Sequence, residues 1–484
     1  MDTTPTHDEQ TRDERLLHDS PSRAIVGLAV PMALASLLEQ LYNMVDSIVA
    51  GNWLGETGVA AVGASFALCN VLVYAAIGCG VGSSVLAARR YGEGDLGGCS
   101  RVTWTSITLF GLVGTVVAIC GLPCADWVLA ALDTPRQVLG DSAAYMAVYF
   151  VGLPALFVLN VAAAMFNAVG DSRTPLALLT VSAAINVVGD VAAVARWNLG
   201  VAGIAVSTVV AEYVVAVAGC LLLARRMHGW PAEKDREPVT PAGAVAPRSV
   251  RQRLSDAIDT KLVFPIVRLA VPSVLQQSTI AIGLMLVQSV VNSFGAASLA
   301  GFSAAMRVEN VATVPTIALG NALSAFASQN VGAGRRDRAD VGYRACMRMV
   351  TVTSVTILAV YQLFCTEMVG AFLGQNASAT ATAVGVDYMR FVGWFYALIG
   401  LKNVADGMLR GLGDTKVFTW ANIINLGLRV GLAHLLAPTF GVAVTWWVVP
   451  AGWATNFAIS HAGVVAWRRG RLATAATTDD RPLL

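Results

Sequence analysis

The sequence predicts an all-α integral membrane protein whose twelve transmembrane helices form two pseudo-symmetric six-helix bundles. Three observations lead to this fold class. The chain is 56% hydrophobic and only 13% charged, whereas about 25% of the residues of a typical soluble domain are charged. Apolar runs long enough to cross a bilayer recur along the chain. Short motifs of the first half return in the second half about 241 residues later.

The repeat is clearest at the start of each half. Residues 28–31 (LAVP) return as residues 269–272, and each copy opens a long apolar segment. Three further pairs of motifs keep nearly the same interval: residues 91–94 and 331–334, 169–171 and 412–414, and 200–202 and 441–443. Two homologous membrane halves are typical of transporters, because such a molecule can rock its halves about a central site.

Charge clusters and Gly/Pro punctuation separate the apolar runs into twelve predicted spans. The first six are 24–51, 58–88, 102–132, 139–168, 174–197 and 200–225. The last six are 262–291, 297–328, 345–373, 381–409, 415–437 and 441–467. The predicted domains are an N-terminal tail (1–23), a first bundle (24–225), a linker (226–261), a second bundle (262–467) and a C-terminal tail (468–484).

Arginine and lysine concentrate in alternate loops, including Arg89 and Arg90, the linker, and Arg335 and Arg336. Cytoplasmic loops of membrane proteins carry this excess. We therefore expect both termini and the linker in the cytoplasm of a multi-pass protein of the cell (inner) membrane.

Composition indicates no cofactor, metal site or nucleic-acid partner. The eight cysteines form no disulfide or metal-ligand pattern, the five histidines are scattered, and the net charge is +2. We read the cysteines as small packing residues. The expected partner is the lipid bilayer, and we expect a monomer that is not an enzyme.

The first predicted span carries an unusual polar stripe. At about 100° per residue, Asp46 falls within an arc of about 120° together with four other polar residues. These are Glu39, Gln40, Asn43 and Ser47. Carboxylates facing lipid at mid-span would cost several kcal/mol each, so this stripe faces a cavity or polar partners. A structural hydrogen-bond network is the alternative explanation.

The fifth and sixth predicted spans supply partners for the stripe. Asn186 and Asp190 are four residues apart on one helix face, and Thr208 and Glu212 repeat that spacing in the next span. Buried acids that lie close together can hold a proton near neutral pH. If both acids are ionised, carboxylate, amide and hydroxyl oxygens make a plausible site for a hard cation.

Several motifs, in this order, resemble the MATE (multidrug and toxic compound extrusion) family over nearly the whole chain. They are Pro31, residues 41–46 (LYNMVD), residues 52–55 (NWLG), Asn186 with Asp190, residues 330–334 (NVGAG) and residues 409–414 (LRGLGD). The resemblance implies two bundles arranged as a V around a central cavity. It also implies export of small amphipathic or cationic compounds in antiport with H⁺ or Na⁺.

The resemblance also implies a coupling site in the N-terminal half. Asp46, Asn186, Asp190 and Thr208 match the cation or proton site of the DinF-like branch of the family. Glu39 and Glu212 join this candidate site from helical periodicity alone, with a satisfied interior carboxyl as the alternative for each.

The second half has lost these acids. By the repeat, Asn186 and Asp190 correspond to Asn425 and Arg429, and Asp46 corresponds to an apolar residue. The NorM-like branch is expected to use acids in its seventh and tenth helices, where this chain has glutamines at 276 and 277 and no acid at the expected turn. We therefore expect ion coupling in the N-terminal half. Asp406, four residues from Lys402 and from Arg410, is read as an internal ion pair.

Two prolines are predicted hinges. Pro31 and Pro272 lie inside their helices, where each removes a backbone hydrogen bond and favours a kink. Pro31 precedes Asp46 by about 22 Å of helix, so bending there would move the acid. A static kink is the alternative for both prolines.

Substrate contacts are less specific. Aromatic faces and methionine suit flat cationic ligands. The candidates are Tyr42, Tyr149, Phe157, Trp394, Tyr396 and Met408.

Two other functions are weighed against efflux. A flippase for a lipid-linked precursor would line its cavity with several cationic residues, but those of this chain are few and spread. A membrane-embedded transferase would need clustered Asp-rich or His-containing motifs near one membrane face, and we find none.

Overall fold

The computed structural model describes residues 15–131, 134–228, 230, 259–292, 295–373, 378–441 and 444–479. Every element of these residues is a helix, which confirms the predicted all-α fold. Most of the predicted linker and the first 14 residues of the predicted N-terminal tail lie outside the described residues.

Thirteen long helices, labelled α1 to α13, make up most of the described residues, and five short helical segments complete them: Arg15–His18, Ala50–Leu54, Leu122–Cys124, Ala125–Ala131 and Ala192–Arg196. The first six are α1 Pro21–Val49, α2 Gly55–Gly92, α3 Leu96–Gly121, α4 Arg136–Ala168, α5 Arg173–Val191 and α6 Gly200–Arg226. The others are α7 Thr260–Asn292, α8 Ala296–Gly332, α9 Arg336–Leu373, α10 Ala379–Gly393, α11 Tyr396–Leu412, α12 Thr415–Phe440 and α13 Val444–Asp479.

Each of the twelve predicted spans is occupied by a helix. Two spans differ from the prediction: the third is divided by the 3₁₀ segment Leu122–Cys124 into α3 and the short helix Ala125–Ala131, and the tenth is divided at Trp394 and Phe395 into α10 and α11. α9 begins before the predicted boundary at 345 and α13 continues beyond 467, since apolar runs mark only the part of a helix that can cross the bilayer. Nine helices of the described residues are long and apolar enough to cross a membrane.

Three of the four repeated motif pairs lie where one helix ends and the next begins. All eight glycines with positive φ among the described residues fall into four pairs about 241 residues apart. The pairs are Gly55 and Gly295, Gly94 and Gly334, Gly170 and Gly413, and Gly200 and Gly441. These backbone conformations favour glycine. The two halves are therefore divided by the same turns.

Aspartates of the same motifs start the next helices. Asp171 Oδ1 accepts hydrogen bonds from the backbone N–H groups of Arg173 and Thr174, both at 3.1 Å. Its repeat counterpart Asp414 accepts one from Val417 N at 3.3 Å, at the start of α12. Such caps satisfy N–H groups that lack a partner within the helix.

The chain divides into two compact units. The first contains residues 34–278 and 332–334, and the second contains residues 18–33, 279–331 and 335–484. The start of α1 therefore belongs to the second unit and the start of α7 to the first. At Gly82 of α2, a Cβ atom would lie 2.4 Å from the Cα of Ala270 in α7, so glycine permits this close packing.

Each unit has a central helix. In the first unit α4 packs against α2, α3 and α6, and α5 packs along α6. In the second unit α13 packs against α11 and α12, and α9 packs against α10 and α11. These contacts place α5 and α6 side by side in the first unit and α12 beside α13 in the second.

Candidate functional site

α5 and α6 pack closely enough to join their polar side chains. At Gly189, a Cβ atom would lie 2.6 Å from the Cβ of Ser207, so glycine permits the approach. The Ser207 hydroxyl donates to Asp190 Oδ1, and Asn186 Nδ2 donates to Thr208 Oγ1 at 3.0 Å. Three of the predicted coupling residues therefore share one helix–helix interface.

α1 adds the Asp46 carboxyl, which adjoins the carboxyl of Asp190. Asp190 is fully buried and Asp46 is half-buried. Three side-chain oxygens of this cluster receive no hydrogen bond within the described part of the chain: Asp46 Oδ1, Asp190 Oδ2 and Asn186 Oδ1. Three acceptors of the cluster therefore lack a donor among the described residues.

A cluster of this kind calls for a proton or a cation. Adjoining carboxylates repel each other, and a buried acceptor without a donor is costly. A proton held between Asp46 and Asp190 supplies the missing donor. A hard cation such as Na⁺ is instead coordinated by carboxylate, amide and hydroxyl oxygens. The residues present fit either ion.

Both acids precede a widened stretch of helix. A π-helical segment, Ala50–Leu54, follows α1 one turn after Asp46, and another, Ala192–Arg196, follows Asp190 at the end of α5. The two segments pack against each other. π-helical turns occur frequently at functional sites. The backbone is therefore irregular beside both adjoining carboxyls.

A small cavity lies beside the cluster. It has a volume of about 10 Å³, close to the room that one water molecule needs. Its lining comes from α1, α5 and α6: Tyr42, Ser182, Ala183, Asn186, Thr208, Ala211 and Glu212. The cavity connects the predicted coupling residues to Tyr42, a predicted substrate contact.

Glu212 and Glu39 lie at the cavity side of the site. Glu212 is 8% exposed and packs against Gly152 of α4, where a Cβ atom would lie 3.3 Å from Glu212 Oε2. Glu39 is half-buried and near enough to Glu212 and Tyr42 to interact electrostatically. Neither acid, nor Asp46 nor Asp190, forms an ion pair among the described residues. The first unit thus concentrates negative charge without a paired cation.

The polar stripe of α1 is only partly described. Gln40 is exposed, and the side chains of Asn43 and Ser47 lie outside the described residues.

The remaining substrate candidates are dispersed. Tyr149 is buried and stacks on Tyr145 with ring centroids 6.3 Å apart. Phe157 and Met408 are buried in their units, whereas Trp394 is 67% exposed. Tyr396 is buried, and its hydroxyl donates to the backbone oxygen of Glu309 at 3.5 Å. The structure brings only Tyr42 to the cavity lining.

Asp406 of the second unit is held by many partners. Lys402 Nζ lies 3.1 Å from Asp406 Oδ2, and both side chains are buried. Ser460 donates to Asp406 Oδ1 at 2.6 Å and Asn422 Nδ2 donates to Oδ2 at 3.4 Å. Arg410 donates instead to α8, where it reaches Asn321 and Ser324. Asp406 therefore forms an internal ion pair with Lys402, and both of its carboxylate oxygens have partners.

The sequence patterns did not identify two polar residues, Ser207 and Glu309. Ser207 adjoins the predicted Thr208, and its spacing gives no sign that its hydroxyl reaches another helix. Glu309 of α8 is buried and accepts a hydrogen bond from the Tyr388 hydroxyl at 2.6 Å. A lone acid inside a predicted span was the available signal for Glu309.

Both predicted hinges lie within continuous helices. Pro31 is inside α1, just before residue 34, where α1 passes into the first unit. Pro272 is inside α7, before residue 279, where α7 passes into the second unit, and Pro265 precedes it in the same helix. Each predicted hinge thus precedes the point at which its helix changes unit.

Comparisons with known proteins agree on the family. The family model described as MatE matches residues 31–192 and 272–435, once in each half. A probable multidrug resistance protein of Bacillus subtilis, YoeA, is 26% identical over 442 residues, which cover 89% of this chain and 91% of that protein. A protein of Shewanella oneidensis named FAD transporter is 23% identical over 371 residues, covering 75% of this chain and 76% of that protein.

A solved structure shares the fold. It is described as the outward-facing conformation of a multidrug resistance MATE family transporter, and it aligns with a TM-score of 0.81 at 23% identity. The alignment covers 96% of this chain and 98% of the other. With the matched family model and many apolar helices, the chain is a multi-pass membrane protein that belongs to the MATE family of transporters.

Proposed function

We propose that the protein is a secondary active exporter that works by alternating access, in antiport with H⁺ or Na⁺. The observation that carries the proposal is the adjoining pair Asp46 and Asp190, in which each carboxyl keeps a buried oxygen that has no donor in the described part of the chain. A site that needs a positive partner gains one on loading and loses it on release. Ions moving down their gradient can then drive the transported compound up its own.

The substrate class follows from the charge and from the relatives. The first unit gathers four acids, Asp46, Asp190, Glu39 and Glu212, that form no ion pair among the described residues, and the cavity beside them carries an aromatic side chain, Tyr42. Relatives bear names that refer to multidrug resistance. We propose a small amphipathic or cationic substrate, without a bound cofactor.

The setting is that of a membrane transporter. We propose a monomer in the cell (inner) membrane with both termini in the cytoplasm, because the arginine-rich loops alternate along the chain. We also propose that residues 226–261 are the linker between the two six-helix bundles.

The test is export of ethidium from proteoliposomes that contain the purified protein. An inward H⁺ gradient and an inward Na⁺ gradient are imposed in separate experiments, with both gradients collapsed as the control. Export driven by one gradient supports the proposal and identifies the ion. If the export rate were the same with either gradient as with both collapsed, ion coupling would be refuted.

A further inference from the structure

Arg429 of α12 is a buried cation that has no hydrogen-bond or ion-pair partner among the described residues. It is 9% exposed and lies inside a predicted span, far from either end of its helix. Its guanidinium forms no hydrogen bond or ion pair among the described residues, and its Nε is buried. Most buried charges in proteins are paired, because an unpaired charge in the interior is expensive. Arg429 therefore departs from what stability alone would select.

A second buried arginine of the same unit has hydrogen-bond partners. Arg410 is also buried, and it donates hydrogen bonds to Asn321 Oδ1 at 2.7 Å and to Ser324 Oγ at 3.3 Å. Two buried arginines thus share one unit, one engaged and one with its donors unused.

The nearest acid does not occupy Arg429. Glu309 and Tyr388 lie near enough to the guanidinium to interact electrostatically. The Glu309 carboxylate nevertheless accepts from the Tyr388 hydroxyl at 2.6 Å, and no ion pair joins it to Arg429. In the part of the chain that the structure describes, no acceptor engages the donors of Arg429, so they can bind another anion.

A second unused polar group stands beside Arg429. Asn425 precedes it by one helical turn and is 9% exposed, and among the described residues neither its buried amide oxygen nor its amide nitrogen has a hydrogen-bond partner. An amide group carries two N–H donors as well as an acceptor. Arg429 and Asn425 therefore present adjacent unused donors on one face of α12.

Glycines on two flanking helices let the backbones of those helices pack closely against this pair. A Cβ atom on Gly283 of α7 would lie 3.7 Å from Arg429 Nη1. A Cβ atom on Gly452 of α13 would lie 2.3 Å from Asn425 Oδ1 and 2.6 Å from Arg429 Cγ. Larger residues at these two positions would crowd the polar pair.

We infer that Arg429 and Asn425 form a binding site for a negatively charged group, a carboxylate or a phosphate, on the transported compound. A guanidinium matches either group, since its planar array of donors binds two oxygens at once. Glu309 is an acid that lies near the positively charged Arg429. An anionic group at Arg429 competes with it electrostatically, whereas a positive group on the same compound is attracted by it. The substrates of the transporter therefore include zwitterionic and anionic amphiphiles.

This inference rests on the proposed transport function for its purpose, but its test needs no ion gradient. Binding of 2-naphthoate, 2-naphthyl phosphate and neutral 2-naphthamide to the purified protein in nanodiscs is measured by calorimetry. Wild type should bind both anions at least tenfold more tightly than the amide. The ratio between the two anions shows which group the site prefers.

Four variants separate recognition from a structural role. In Arg429→Gln the preference for anions over the amide should fall about tenfold, the loss expected when one charged hydrogen-bonding group is removed. Arg429→Lys should keep part of the preference, because it retains the charge but not the planar donors. Glu309→Gln should strengthen anion binding, since a competing negative charge is removed. The exposed Arg196→Gln is the control for net charge and should change nothing.

Thermal unfolding provides the second measurement. If Arg429 serves as an anion receptor, Arg429→Gln should leave the melting temperature unchanged or raise it, because an unpaired buried charge is removed. A wild-type protein without preference for anions, or an Arg429→Gln variant that lowers the melting temperature and weakens all three probes alike, would overturn the inference. Failure here would leave the ethidium experiment unaffected, and the reverse also holds.

Discussion

The two units place opposite charges at equivalent positions. In the first unit Asn186 and Asp190 lie one turn apart on α5, and in the second Asn425 and Arg429 occupy the repeat positions on α12. Each pair includes a buried polar atom that lacks a hydrogen-bond partner within the residues the structure describes, an oxygen of Asp190 and a nitrogen of Arg429. The equivalent helices of the two halves thus both carry a buried polar pair, but the charged member is negative in the first half and positive in the second.

The units also differ in how their acids are satisfied. Asp46 and Asp190 adjoin each other and form no ion pair with any described residue, whereas Asp406 has Lys402, Ser460 and Asn422 as partners. A titrating or cation-binding group must be able to change partners, and a fully engaged acid has no reason to do so. The difference predicts that ion coupling depends on the first unit.

The largest effect is expected for Asp46→Asn. The substitution keeps the shape of the side chain but removes its charge, so the site can no longer hold a proton between two carboxyls. We expect gradient-driven ethidium export to fall about 100-fold, near the upper end of typical coupling between two ligands. Export is measured in proteoliposomes and normalised to folded protein. Asp141→Asn, an exposed acid of the same unit, is the matched control and should export normally.

Asp190 should act as one unit with Asp46. Groups that share a proton or an ion are not independent, so their substitutions do not add. The double variant Asp46→Asn with Asp190→Asn should export about as poorly as either single variant. Rates from all four proteins of the cycle give the interaction directly. Losses that multiply would mean that the two acids belong to separate sites.

The coupling acids were predictable because of where they lie. A carboxyl within a membrane span is costly unless it has a function or a partner, so Asp46 and Asp190 stand out in the sequence. Glu309 met the same criterion but was overlooked by the repeat comparison, since its counterpart about 241 residues earlier is Leu68. Comparing the halves finds what the first half has and the second lost, not what the second gained.

Other features depend on tertiary contacts that no local pattern encodes. A serine in a helix commonly bonds the carbonyl of a preceding turn, and Ser207 has such an acceptor in Ile204, at 3.0 Å. Its bond to Asp190 exists because Gly189 permits close packing of α5 and α6. The apolar runs likewise predicted the helices but not the division of the tenth span, nor the change of unit within α1 and α7.

A smaller effect is expected for the hinges. Pro31 lies on the helix that carries Asp46, whereas Pro272 lies on α7, which has no acid at the equivalent position. Replacing Pro31 by alanine restores a backbone donor and favours a straight helix. We expect Pro31→Ala to slow gradient-driven export about fivefold, within the range for residues that transmit coupling. Pro272→Ala is its matched control.

The rates of the two proline variants are compared with their ethidium affinities. A larger loss in Pro31→Ala, at unchanged affinity, would link bending of α1 to ion movement. Equal losses in both variants would show that the kinks serve packing in each half alike.

The smallest effect on coupling is expected for Asp406→Asn, although it should destabilise the protein most. Removing the charge leaves Lys402 buried and unpaired, and breaking a buried ion pair costs about 3–5 kcal/mol. Transport per folded molecule should stay within about twofold of wild type, because surface and structural changes away from a coupling site leave that site intact. The ratio of ions to ethidium moved is measured together with the melting temperature. If Asp406→Asn abolished coupling while ethidium still bound normally, the coupling site would lie in the second unit, and the contrast between the two halves would have the opposite meaning.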